Sequence, residues 1–357
     1  MTSPPTGCAP ASPALPEARG PLSAAVSGAL RRTPPPTGLP EPGDADPFGE
    51  DLQLALYLAY ELHYRGFAGV DESWEWQPDL LRLRAALEER FLGALREAVP
   101  GGADVAGELD ALLAEPLDAP GVSHHLKSRG TWEQLREYLA HRSLYQLKEA
   151  DPQAWLIPRL TGQAKASLVA VEYDEFGAGH GDRVHARLFA EAMAGAGLDP
   201  AYGRYLEQAP AETLATVNLM SLLGLHRSLR GAMTGHFATL EITSSPGARR
   251  LARALERLGA EPRCVTFFTE HIEADAVHEQ LMRRDVIGGL LDREPEQAPA
   301  VVFGIQATGY LDARWSDRLR AAWAAGRPSL RLPLCDGWPP RGGAPGPPGP
   351  GEGAPRA

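Results

Sequence analysis

The stretch TEHIEADAVHEQ, residues 269–280, decides the fold. An α-helix advances about 100° per residue, so His271, Asp275 and His278 fall at about 0°, 40° and −20°, inside one narrow arc. Glu270, Glu273 and Glu279 fall outside that arc. Helical winding therefore selects three side chains that converge on one point. Two imidazoles and a carboxylate make a good ligand set for a first-row transition metal. The competing reading is a solvated polar face with incidental histidines. The choice depends on whether other helices supply partners.

Helical patterning runs through most of the chain. DLQLALYLAYELHYRGF (51–67) and PDLLRLRAALEERFLGALREAV (78–99) show the i, i+3, i+4 apolar recurrence of amphipathic helices. Further helices are expected over 131–149, 163–196, 211–238, 246–258, 269–292 and 312–325. Strand-like alternation is scarce, and the best candidate, RCVTFF at 263–268, runs straight into the ligand helix. The fold class expected is all-α. Residues 1–47 hold 12 prolines, and 14 of the 21 residues from 337 to 357 are Gly or Pro. Such composition favours disorder. The expected organisation is a disordered Pro-rich tail (1–47), a helical N-terminal region (48–130), a main bundle of about seven helices (131–330) and a disordered Gly/Pro-rich tail (331–357).

With 357 residues there is ample core for one large domain or two small ones. A formal charge of −11 argues against nucleic-acid or anionic-membrane partners. The three cysteines, Cys8, Cys264 and Cys335, lie far apart without a C-x-x-C pair, so neither a disulfide framework nor a zinc ribbon is indicated. No apolar run reaches transmembrane length and no signal pattern opens the chain, so a cytoplasmic protein is expected.

A helix bundle builds a metal site by projecting Glu and His inward from several helices. In EYDEFGAGHGDRVHARLF (172–189), read as one helix with Glu175 at 0°, Asp182 falls at about −20° and His185 at about −80°. His180 points away at about 140°, and Glu172, at about +60°, is a weaker candidate. Gly177, Gly179 and Gly181 each cost about 1 kcal/mol of helix propensity, so the helix is expected to bend or open there. Upstream, RSLYQLKEADPQAW ends near a turn with Lys148, Glu149 and Asp151, among which spacing alone does not choose.

Taken together, Glu149, VEYDEFGAGHGDRVHARLF and FFTEHIEADAVHE resemble the haem-oxygenase-like diiron oxidases and oxygenases, often described as iron-containing redox enzymes. The words IPRLTG, GLHRSLRGAMTGH and EITSS are similar to that family too. The resemblance covers roughly residues 131–325, and 48–110 resembles an N-terminal extension carried by an actinobacterial subgroup. It implies a seven-helix bundle folded like haem oxygenase but holding two Fe(II) ions and using O2 as cosubstrate. It also implies a ligand set of Glu149, Glu175, Asp182, His185, His271, Asp275 and His278, with no catalytic residue beyond them. Asp182 stands where some members have Glu. Its shorter side chain implies that it is turned away, or linked through water, until the site rearranges.

Four carboxylates offset the charge of two ferrous ions, and three neutral imidazoles complete the coordination. Carboxylates bridge metals, and a histidine–carboxylate set with open positions suits O2. The reaction types implied are N-oxygenation of amines, oxidative C–C cleavage of amino acids and decarboxylation of fatty acids, on a small organic substrate. The alternatives are a haem-oxygenase-like protein binding haem or another ligand, which needs one proximal His and no matched carboxylates, and a metal-free helical partner-binding protein. A homodimer is compatible with the sequence. Glu61 and His63, two residues apart, cannot share a helix face and read as structural. His236 and Glu241 diverge, and Glu241 is weighed as a hydrogen-bond acceptor for a ligating imidazole. Gly231, Ala232 and Gly235 read as small residues permitting close helix approach. Tyr173, Phe176, Phe189, Phe267 and Phe268 read as core first and pocket wall second.

Overall fold

A computed structural model describes residues 12–33, 38–114 and 121–334, excepting the side chains of 273–276. The elements are α1 (Pro21–Leu30), α2 (Glu50–Glu61), α3 (Pro78–Ala98), α4 (Val105–Leu113), α5 (Val122–Ser128), α6 (Trp132–Gln146), α7 (Asp151–Ala154), α8 (Gly162–Glu175), α9 (His185–Gly195), α10 (Ala211–Leu225), α11 (Arg230–Arg257), α12 (Pro262–Gln280), α13 (Gly288–Leu291) and α14 (Ala298–Ala324). Among the described residues there is no strand, and the all-α expectation holds.

Three long helices carry the bundle, with α11 packed against both α12 and α14. Gly235 on α11 and Gly304 on α14 let the backbones meet. A Cβ at Gly235 would overlap the Val301 carbonyl, and one at Gly304 the Ala232 carbonyl. The close approach expected from the small residues around Gly235 is therefore present. Helix α11 also runs unbroken through Pro246, across the gap expected between helices at 211–238 and 246–258. Thr243, just before the proline, donates its hydroxyl back to the Thr239 carbonyl at 2.8 Å, the local bonding that often accompanies a bent helix.

The stretch 263–268, the best candidate for strand-like alternation, is the first part of α12. Pro262 sits at the first helical turn, where its missing N–H costs nothing. Cys264, Phe267, Phe268 and His271 are all buried and recur at i, i+3, i+4, i+7, one helical face. After Gln280 the chain continues as a π-helical segment, Leu281–Ile287, into α13.

Residues expected to be disordered within 1–47 include α1. Leu22, Val26 and Leu30 recur every four residues, are buried, and pack α1 against α2. Gly20 has no side chain to cap this helix, and Asp51 of α2 does so instead. Its carboxylate accepts the Leu22 and Ser23 amides at 2.9 and 2.7 Å. Buried side chains of α1 to α4 form one contiguous core with those of α8, α10, α11 and α14, so residue 130 marks no division of the core. Residues 1–11, 34–37 and 335–357 of the Pro-rich and Gly/Pro-rich tails, with Cys8 and Cys335, lie outside the described residues.

Candidate metal centre

Four helices and one turn bring carboxylates and imidazoles together. Glu149 lies in the turn between α6 and α7, Glu175 ends α8, His185 begins α9, Glu241 is mid-α11, and His271 and His278 lie on α12. All six are buried, none more than 7% exposed. Two sets of candidate ligands emerge. In the first, one atom each of Glu149, Glu175, His185 and His271 lie within 4.8 Å of one another; in the second, Glu175, Glu241 and His278 do the same. Glu175 belongs to both.

Within the first set, His185 Nδ1 stands 2.7 Å from Glu175 Oε2, and His271 Nε2 stands 3.7 Å from Glu149 Oε1. The His185 and His271 rings are 4.4 Å apart between centroids. His271 donates its Nδ1–H to the Phe267 carbonyl at 2.8 Å, which fixes the tautomer and turns the Nε2 lone pair toward Glu149. Gln146 donates to Glu149 Oε1 at 3.0 Å, while Glu149 Oε2 is buried without a hydrogen bond. In the second set, His278 Nδ1 lies 3.1 Å from Glu241 Oε2 and 3.5 Å from Glu175 Oε1, and its Nε2 lies 3.2 Å from Asp174 Oδ2.

The charges of the site are strongly perturbed. Burial raises the Glu175 carboxyl, but the close imidazoles of His185, His271 and His278 outweigh it and hold the group below the usual carboxylate range. Burial pushes Glu241 up to about 7, with His278 opposing and Glu175 reinforcing the shift. Burial works against a charge on His278, yet Glu241, Glu175 and Asp174 raise it to about 9, so the ring carries a proton between its carboxylates. Behind them, Glu172 is buried with neither oxygen hydrogen-bonded. Desolvation, then the charges of Glu175 and Glu241, lift it to about 9.

A buried carboxylate oxygen without a partner, such as Glu149 Oε2, is costly, and the usual resolutions are protonation or a bound metal. Glu149, Glu175 and Glu241 with three imidazoles form a mixed oxygen and nitrogen donor set, which suits a divalent first-row metal such as iron. The residues fit.

Sequence and structure differ in instructive ways. Glu149, Glu175, His185, His271 and His278 come together. Asp182 does not: it is exposed and belongs to neither ligand set. Its helical phase relative to Glu175 has no meaning, because no helix joins them. α8 ends at Glu175, and the chain turns through Gly177, Ala178 and Gly179 with φ of 73°, 52° and 82°. At Gly177 a Cβ would also press on the backbone of Arg183 and Val184, so glycine is required twice over. The expected opening of this helix is a complete break. Asp275 lies outside the described side chains. Glu241, weighed only as an acceptor, sits within ligand distance. Its signal in the sequence was isolation, for it is the only acid between Arg230 and Leu255 on α11. Asp174 was also missed.

Beside the first set opens a cavity of about 520 Å³ that reaches Glu149, Glu175, Glu241 and His271. Phe189, Phe267 and Phe268 wall it, whereas Tyr173 and Phe176 point outward and are 56% and 36% exposed. Its other lining includes Arg142, which bonds Asp312 at 3.0 Å and lies 4.0 Å over the Trp315 ring. Arg250 lines it too, so a largely apolar wall carries a few charged groups besides the carboxylates, the usual make-up of a small-molecule site.

Comparison with known proteins agrees with this chemistry. Residues 136–313 match the family described as iron-containing redox enzymes, within the haem-oxygenase-like fold. The chain is also 27% identical over 263 residues to a nitrosourea synthase from Streptomyces achromogenes subsp. streptozoticus. That alignment covers 70% of this chain and 55% of the synthase, so the chain spans about half the length of that relative. Among the described residues, no helix is long and apolar enough to cross a membrane.

Proposed function

Since the chain belongs, over residues 136–313, to the iron-containing redox enzymes, we propose that it is an O2-dependent diiron oxidase or oxygenase acting on a small organic substrate. The observation that carries this reading is that Glu175 belongs to both ligand sets, so one carboxylate would serve two metals. Glu149, His185 and His271 would hold one ferrous ion, Glu241 and His278 the other, and Asp275, on the same helix as both histidines, is proposed to join them. When bound, two ferrous ions would supply the electrons for O2 reduction.

The chain's own residues set the conditions for that chemistry. The Phe267 carbonyl keeps His271 in one tautomer, and Gln146 holds one oxygen of Glu149. Phe189, Phe267 and Phe268 keep bulk water from the carboxylates. Glu172, neutral at pH 7, adds no further negative charge beside Glu175 and Glu241. The substrate is proposed to occupy the cavity, with Arg142 and Asp312 available to a charged end. Amino acids, amines and fatty acids all fit that description. Among the reaction types, N-oxygenation has the further support of the relative's name, since a nitrosourea carries an oxidised nitrogen.

Anaerobic Fe(II) titration with metal analysis and an optical spectrum tests the reading. Two irons per chain and no Soret band are expected. A Soret band on addition of haem, with no stoichiometric iron, would replace it with the haem-binding alternative.

A further inference from the structure

Glu149 differs from the other candidate ligands in one respect: it lies in a turn, whereas Glu175, His185, Glu241, His271 and His278 are all held by helices. A turn residue needs another source of rigidity if its carboxylate is to stay within ligand distance. The residues just before it provide one. Lys148, 1% exposed, places its ammonium 2.8 Å from Glu61 Oε2 and 4.1 Å from the Tyr64 ring. Glu61 is fully buried and accepts a second bond, 2.6 Å, from the Tyr202 hydroxyl. Arg65 donates to the Leu147 carbonyl at 3.0 Å and lies 4.1 Å over the Tyr202 ring. Both clamping residues belong to the C-terminal end of α2 and the turn after it.

A buried Lys–Glu pair is a poor device for stability alone, because desolvating both charges offsets most of their attraction. Its position explains it better. Resting on the diiron reading above, we infer that Glu61 and Lys148, assisted by Arg65, are positioning residues that fix the Glu149 turn for metal binding. Glu61 and Arg65 lie outside the 136–313 segment matched by the family. The N-terminal helices therefore complete the site rather than merely extending the bundle.

The test is anaerobic Fe(II) titration of the full chain, with thermal unfolding measured in parallel. A Lys148→Met/Glu61→Gln double variant removes both charges and keeps an acceptor for Tyr202, so a fold close to the wild type is expected. Iron at the Glu149 position should bind about 10- to 100-fold more weakly, the range usual for groups that orient a ligand, while the other iron binds normally. Lys148→Arg, which keeps the ion pair, should retain both. Arg65→Gln, an exposed substitution that does not threaten the core, should weaken the same iron and no other. A double variant, or Arg65→Gln where the double variant does not fold, that binds both irons at wild-type affinity would overturn the inference while leaving the diiron reading intact. A wild-type chain that binds no iron overturns both.

Discussion

His278 on α12 and Glu241 on α11 meet at 3.1 Å across the bundle, although 37 residues separate them. The contact joins two helices that pack along their length, and it brings the only acid of the first 26 residues of α11 to the second candidate iron site. A carboxylate in that place is either a ligand or a support for a histidine, and the two roles predict different metal counts.

Glu241→Ala should bind one iron and lose the other, whereas Glu175→Ala, which removes the shared carboxylate, should lose both. Counting iron per chain after anaerobic loading distinguishes them. Two irons in Glu241→Ala would remove Glu241 from the ligand set.

Asp182→Asn should retain both irons, because Asp182 is exposed on the far side of a glycine turn. The same titration decides. Loss of the second iron in this variant would mean that the 177–184 turn rearranges on loading and delivers Asp182 after all.

Filling the cavity should separate binding of substrate from binding of metal. Ala248 lines the cavity from α11 and is not among the candidate ligands. Ala248→Phe is expected to leave iron content at the wild-type value and to reduce turnover by about tenfold or more, the scale of a substrate excluded or displaced by an ångström. Full activity in this variant would place the substrate elsewhere.

The contrast between Asp182 and Glu241 shows what was legible in the sequence. Amphipathic periodicity gave the helices, and the 271–278 spacing gave real neighbours because one helix does carry both histidines. The same arithmetic failed at Asp182, since helical phase holds only while the helix is continuous, and three glycines within five residues ended it. Glu241 was hard to see for the opposite reason: it has no ligand neighbour on its own helix, and its partners arrive only through packing against α12. Glu149 was invisible to periodicity because it lies in a turn. In 263–268, residues with strand propensity are helical because Pro262 starts a helix and the buried face at Cys264, Phe267 and Phe268 has a helical period. Residues 21–30 hide the same kind of signal in a proline-rich background.

Helix contact at Gly235 predicts a stability effect independent of metal. Gly235→Ala pushes a methyl group into the Val301 carbonyl, which is backbone and cannot swing aside. Overpacking typically costs about 1–3 kcal/mol, so a loss toward the upper end of that range is expected in denaturant unfolding. Gly247→Ala, on the same helix with open space around it, is the control and should be neutral or slightly stabilising. Equal stability of the two variants would contradict the close approach of α11 and α14.

Acid sensitivity follows from two histidines that play no part in the metal centre. His236 is buried and bonded to Thr308 at 2.8 Å, and burial drives its pKa down to about 3. His141, bonded to Thr213 at 2.6 Å and Ser329 at 3.1 Å, is driven to about 3 by burial and then by Arg318 and Arg142. In the unfolded chain each takes up a proton near pH 6.5. Between that value and about 3 the unfolded state binds more protons than the folded one, so stability falls as pH falls. The contribution is complete above about 6.5 and declines by about 1.4 kcal/mol per pH unit for each histidine below it. At pH 5 the two together should cost about 4 kcal/mol, an amount large against ordinary domain stability. His236→Asn removes one of the two groups, so it should be less stable than wild type at neutral pH but lose less between pH 7 and 5. Denaturant unfolding at both pH values measures the difference, and an unchanged pH slope in the variant would show that His236 is not held neutral by burial.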